Sequence, residues 1–125
     1  SDLTEMGFLD RFKVHTTREY EEGKVRVFRL HEEAESLSYV EGIYKENGRF
    51  LMSVSFVKGQ HEAGKEAQLL DCNGLFAASV RIGEIRLGSG EDLHEASEAG
   101  EEGIIVFDLV EGVEHWMEKG QYLKG

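Results

Sequence analysis

The sequence has no proline and only one cysteine among its 125 residues. At the usual frequency of about 5%, roughly six prolines would be expected in a chain of this length. Turns must therefore be made by the 15 glycines and by Asn-Gly pairs, which adopt turn conformations readily. The lone thiol, Cys72, excludes an internal disulfide framework and is typical of a reducing compartment, so we predict a cytoplasmic protein.

Basic residues are also scarce, because 14 Lys and Arg stand against 25 Asp and Glu and leave a net charge of −11. Binding to nucleic acid requires Lys and Arg to neutralise phosphates, so we expect no nucleic-acid partner. An anionic membrane surface would repel the chain, and no apolar run approaches the roughly 18 residues of a membrane-spanning helix. The charge favours encounter with a basic protein, although solubility alone is the simpler explanation.

The length and composition predict a single globular domain over residues 1–125. Hydrophobic residues make up 40% of the chain, which is too much for a disordered acidic protein. Residues 2–13 carry apolar side chains at helical spacing and predict an N-terminal helix. Residues 24–30 are rich in β-branched and aromatic side chains and predict a short strand.

The strongest local pattern is a β-hairpin between residues 37 and 57. Two alternating segments flank Asn47-Gly48, the pair preferred in a two-residue type I′ turn. With these two residues in the turn, the predicted cross-strand pairs are Glu46 with Arg49, Ile43 with Met52, and Tyr39 with Phe56.

The region after the hairpin contains less regular patterns. Residues 59–74 fit either a short helix or a loop. Residues 75–87 predict a long strand whose apolar phase changes at Gly83, as it does at a β-bulge. The continuous apolar residues 104–107 are typical of a strand covered on both sides.

The C-terminal residues predict a helix, because Val113, Trp116 and Met117 have helical spacing and Gly120 follows them. The order of elements then indicates an α+β fold. We expect a curved, mainly antiparallel sheet of about five to six strands, open or partly closed into a barrel, with an N-terminal and a C-terminal helix.

Glu41 is the one candidate catalytic residue. In the predicted register it lies opposite Val54 on the apolar face of the hairpin, and a carboxylate withdrawn from water there suits acid/base chemistry or ligand binding. The alternative is that Glu41 reaches solvent at a sheet edge or pairs with Arg81 or Arg86. The predicted ligand pocket is lined by Tyr39, Glu41, Tyr44 and Met52.

Residues 91–102 carry six acidic side chains and no Lys or Arg. This concentration predicts a surface for a basic partner, formed by Glu91, Asp92, Glu95, Glu98, Glu101 and Glu102. A solvated acidic loop without a partner is the alternative. The segment lacks the alternating acids and central glycine of a calcium-binding loop.

No motif for metal or cofactor chemistry is present in the sequence. His94 and Glu98 are four residues apart, but a zinc site needs three or four converging ligands and Cys72 has no second cysteine nearby. Residues 88–90 form a Gly-Ser-Gly turn, yet acidic residues follow where a bound phosphate would sit. No Gly-x-Ser-x-Gly elbow occurs. We therefore predict no metal and no cofactor.

These observations favour a non-catalytic acidic module that binds another protein. It would serve as an inhibitor or immunity protein, an adaptor or chaperone, or a subunit of a bacterial or phage assembly. The rival interpretation is a small-molecule binder or simple acid/base enzyme with a pocket around Glu41. Homodimerisation through the 2–13 stripe or an exposed sheet edge is a further prediction.

Overall fold

Seven strands and one helix form the fold in the computed structural model, which describes residues 18, 20–88 and 92–125. The helix, α1, covers residues 20–33. The strands are β1 (Leu37–Glu46), β2 (Arg49–Lys58), β3 (Glu66–Leu70), β4 (Phe76–Leu87), β5 (Asp92–His94), β6 (Glu102–Glu111) and β7 (Tyr122–Lys124). The predicted helix over residues 2–13 and the acidic residue Glu91 lie outside the described residues.

Six of the strands close into an antiparallel barrel. The strand order is β3-β7-β1-β2-β6-β4, and β3 also pairs with β4, which completes the ring. The remaining strand, β5, pairs with β4 at Ile85–Leu87 and is not part of the ring. The prediction of a curved antiparallel sheet is therefore confirmed, and closure leaves the barrel strands without the free edges that invite aggregation.

The hairpin that begins the barrel follows the predicted turn. Asn47 and Gly48 both have positive φ, at 51° and 77°, as a type I′ turn requires. The pairs Glu46–Arg49 and Ile43–Met52 are confirmed.

The predicted pairing of Tyr39 with Phe56 is wrong. The register shifts between Val40 and Gly42, so that Tyr39 lies opposite Ser55. Glu41 is the extra residue of this β-bulge, and an inserted residue reverses which side chains face inward. A short-range turn pattern carries no information about such an insertion.

The predicted bend in the long strand is confirmed at Gly83. Ile82 pairs with Phe107 and Glu84 with Val106, which leaves Gly83 unpaired in β4. The bulge allows Ile82 and Ile85, both fully buried, to point into the barrel although their sequence parity differs.

The barrel interior is filled by apolar side chains from all six strands. The largest of them is Phe107, which stacks on Phe50 with ring centroids 5.5 Å apart. The other fully buried large side chains include Leu69, Ile105 and Leu123. A six-stranded barrel is narrow enough to be packed solid in this way.

The predicted strand over residues 24–30 is wrong, because these residues belong to α1. The buried positions Gly23, Leu30 and Ala34, with half-buried Val27, recur every three to four residues, which is helical spacing. Packing against the barrel overrides the β-propensity of the valines. Lys58 caps the end of α1, since its ammonium donates to the carbonyls of His31 (3.0 Å) and Glu32 (2.9 Å).

The predicted C-terminal helix is also wrong. Residues 114–116 form a single 3₁₀ turn, and β7 follows. Only a short segment connects β6 to β7, and β7 must be extended to pair with both β1 and β3. Within the described residues, no helix has the length and apolar character needed to cross a membrane.

Two glycines with similar backbone conformations allow a test of close packing in the fold. Gly48 has φ +77° and open space around it, whereas Gly59 has φ +61° and lies against the Glu35 carbonyl oxygen. We expect Gly48→Ala to cost roughly 1–2 kcal/mol from the unfavourable backbone conformation alone. Gly59→Ala should cost clearly more, because its Cβ would overlap the Glu35 oxygen. Urea denaturation of both variants measures the difference, and equal costs would show that the loop does not contact Glu35.

Candidate functional site

Two loops lie side by side over one end of the barrel. They are the β2–β3 loop, residues 59–65, and the β5–β6 loop, residues 95–101. Ala63 N donates to Glu95 O at 2.8 Å and Ser97 N to His61 O at 2.8 Å. The loops therefore hold each other through their backbones.

A buried histidine joins these loops to the barrel. His61 is 2% exposed, and its Nε2 lies 2.6 Å from the Oγ of Ser38 at the start of β1. Its backbone N–H donates to Ser97 Oγ at 2.7 Å, and its ring lies 6.2 Å from the Phe56 ring. Ser38 is fully buried, so the serine–histidine pair links the β2–β3 loop to β1 inside the protein.

The second ring nitrogen of His61 has no hydrogen-bond partner. Its Nδ1 is buried and borders a cleft of about 260 Å³ that Ser36, Lys65 and Gly125 also line. Burial lowers the pKa of His61 from 6.5 to about 4. The imidazole is therefore neutral at pH 7, which keeps a positive charge out of the barrel.

Five of the predicted partner-binding carboxylates surround this loop pair. We call them the acidic cap: Asp92, Glu95, Glu98, Glu101 and Glu102. All five are exposed, and in the described part of the chain none of them forms an ion pair. No group of three or more metal-ligating side chains occurs among the described residues.

Backbone hydrogen bonds fix the segment that carries the acidic cap. Phe56 N donates to Glu101 O at 2.9 Å, and Gly100 N donates to Phe56 O at 2.8 Å. Glu101 N donates to Glu98 O at 3.2 Å, which closes the turn before β6. The carboxylates consequently project from a rigid support.

The structure does not bring together the residues predicted to line a pocket around Glu41. Glu41 is exposed at the bulge, where it accepts a hydrogen bond from Ser55 Oγ at 2.8 Å. Met52 is fully buried inside the barrel, whereas Tyr39 and Tyr44 are 40% and 59% exposed. Because the bulge turns Glu41 to the opposite side from Met52, these residues do not line a common cavity.

The alternative partners suggested for Glu41 are engaged elsewhere. Arg81 donates to Glu66 at 2.9 Å, and Arg86 donates to Glu84 at 2.9 Å. The Arg86 hydrogen bond, with smaller contributions from the charges of Arg86 and Arg49, holds the pKa of Glu84 below its usual value.

An aromatic cleft at the other end of the barrel was not predicted. It has a volume of about 360 Å³, and its lining residues are Asp71, Phe76, Ala77, His115, Trp116, Glu118 and Gln121. Trp116 is 55% exposed and Phe76 48% exposed. The sequence placed Trp116 and Met117 together in a predicted helix, whereas the observed turn buries Met117 and leaves Trp116 facing outward.

The comparisons with known proteins give a fold and no family. No protein-family model matches the sequence, and no curated protein matches it. Two solved structures of translation elongation factor SelB from Methanococcus maripaludis are similar, one in the apo form and one in complex with the GTP analogue GppNHp. Each has a TM-score of 0.59 and 15% identity, over 74% of this chain and 19% of the SelB chain. At this identity the likeness shows the fold alone, and the chain spans under a fifth of the length of SelB.

The pKa of His61 predicts a particular loss of stability in acid. The folded state holds His61 neutral down to about pH 4, whereas the unfolded chain binds the proton near pH 6.5. The contribution of neutral His61 to the free energy of unfolding is therefore complete above pH 6.5. This contribution is lost as the pH falls toward 4. We expect a loss of about 3 kcal/mol over this range.

Unfolding free energies of the wild type and of His61→Gln, measured across this pH range, test the prediction. The His61→Gln variant should not show this loss of stability in acid. The His115→Gln variant, at an exposed histidine, should show it as the wild type does. If His61→Gln does not fold, the ring of His61 in the wild type can be titrated by NMR. An apparent pKa near 6.5 would contradict the burial described above.

Proposed function

We propose that this protein is a non-catalytic module that binds a basic protein through the acidic cap. The observation that carries the proposal is the set of five exposed carboxylates on a backbone fixed by hydrogen bonds, none of which has a cationic partner among the described residues. An inhibitor or immunity protein, an adaptor or chaperone, and an assembly subunit are the roles that fit such a module.

Electrostatics is the first support for this proposal. Like charges crowded at one end of a barrel repel each other, and a partner bearing Lys or Arg would relieve that repulsion. The net charge of −11 extends the attraction over a longer range and accelerates encounter at low salt. A basic partner is therefore favoured over an acidic or apolar one.

Preorganisation is the second support. His61 and the backbone hydrogen bonds at Phe56 and Ser97 fix the loops before any partner arrives. A partner then orders only the glutamate side chains, which reduces the entropy lost on binding.

The rival function, a small-molecule site around Glu41, receives no such support. Apolar side chains fill the barrel interior, and the three clefts found on the surface are not lined by Glu41. Those clefts have volumes of about 320, 360 and 260 Å³ and lie outside the barrel.

A matched pair of variants tests the proposal. The cap variant combines Glu95→Gln, Glu98→Gln and Glu101→Gln. The control variant removes the same charge from the exposed face of α1 through Glu21→Gln, Glu22→Gln and Glu33→Gln. Immobilised wild type should capture a basic protein from a lysate at low salt and release it as salt rises. The partner is then identified, purified and titrated against each variant.

We expect the cap variant to bind roughly tenfold more weakly, on the basis of about 0.5 kcal/mol for each exposed charge pair. The control variant should bind nearly as tightly as the wild type. Capture of no basic protein at low salt, or equal weakening by both variants, would contradict binding through the acidic cap.

A further inference from the structure

The aromatic cleft has no role in the proposed function and lies at the opposite end of the barrel from the acidic cap. Asp71 follows β3, Phe76 begins β4, and Trp116 follows β6. The acidic cap instead surrounds the start of β6 and the loop before β3. The two surfaces are consequently independent.

The backbone that carries Trp116 is held firmly. The Gln121 side chain donates through Nε2 to Trp116 O at 2.7 Å, and its Oε1 accepts from Glu118 N at 3.1 Å. Gln121 is 3% exposed, and the neighbouring Met117 is buried in the barrel core. The indole is thus presented to solvent on a rigid turn, and an exposed tryptophan on such a support is typical of a binding hot spot.

Two of the polar side chains that line the cleft are carboxylates, Asp71 and Glu118, and the other two are His115 and Gln121. The Asp71 carboxylate is oriented by its Oδ1, which accepts from the backbone N–H groups of Asn73 (2.8 Å) and Leu75 (2.9 Å). Glu118 is exposed and lines the same cleft. In the described part of the chain neither carboxylate has a cationic partner.

We propose that the aromatic cleft binds an arginine side chain of a partner protein. A guanidinium group can stack on the indole of Trp116 while its N–H groups donate to the carboxylates of Asp71 and Glu118. The planar guanidinium suits an aromatic surface better than a lysine ammonium does. The negative lining disfavours an anionic ligand, and the cleft volume of about 360 Å³ suits one extended side chain with its flanking backbone.

The only tryptophan in the sequence makes the test direct. The indole N–H signal of Trp116 is followed by NMR during titration with the peptide acetyl-Ala-Ala-Arg-Ala-Ala-amide. A matched peptide with citrulline in place of arginine keeps the planar shape, but it replaces one nitrogen donor group with a carbonyl oxygen and removes the charge. We expect a saturable shift with the arginine peptide and at most a small one with the citrulline peptide.

Two variants with the same change of charge locate the site. The Glu118→Gln variant changes a side chain in the cleft and should weaken binding of the arginine peptide roughly twofold to threefold, as expected for loss of one exposed charge pair. Glu114→Gln is the control, because Glu114 pairs with Lys45 at 3.6 Å and does not line the cleft. It should leave the affinity unchanged. The folding of each variant is checked by the dispersion of its spectrum.

The outcomes separate this inference from the proposed function. The proposed arginine site would be contradicted by equal shifts with both peptides or by no shift with either. Equal effects of the two glutamate variants on peptide affinity would also contradict it. If the cap variant abolishes peptide binding and the indole signal never moves, the acidic cap binds and the cleft does not. If the indole shift persists in the cap variant, the cleft binds on its own.

Discussion

The closure of the barrel by β7 is the constraint on which the rest of the structure depends. This strand has only three residues, Tyr122–Lys124, yet it pairs with β1 on one side and β3 on the other. Leu123 at its centre is fully buried and fills the interior between those strands. Without β7 the sheet would remain open along β1 and β3, and the core would face water along that gap.

Closure also fixes both ends of the barrel, where the two candidate binding surfaces lie. At one end Gly125 N donates to Ser36 O at 3.0 Å, close to His61 and the loops of the acidic cap. At the other end Gly120 N donates to Val40 O at 2.8 Å, just after the turn that presents Trp116. Apolar side chains fill the interior, and both candidate surfaces lie outside it, one highly charged and the other aromatic with acidic side chains.

Local patterns in the sequence were sufficient to predict parts of the barrel. Asn47-Gly48 determines the hairpin turn, and the phase change at Gly83 indicates the bulge in β4, because both features involve neighbouring residues. The acidic cap could be predicted from composition alone, since a run of carboxylates must face solvent.

Other parts depend on contacts between distant residues and could not be predicted. The bulge at Glu41 reverses which side chains of the preceding part of β1 face inward, and although Gly42 follows it directly, one glycine does not determine which residue is inserted. Residues 24–30 are rich in β-branched and aromatic side chains, as a strand is, but their contacts with the barrel select a helix. The short strand β7 has no pattern of its own, since its extended form comes from two partners that lie far away in sequence.

Hydrogen exchange at the β1–β7 junction is the most direct test of this account. Val40 N donates to Gln121 O at 2.9 Å, and Gly120 N donates back to Val40 O. If closure holds the whole structure, these two amides should exchange only through global unfolding, with the same free energy as the amides shared by β2 and β6. Faster exchange at Val40 and Gly120, with β2 and β6 still protected, would show that β7 opens locally and that the barrel does not depend on it.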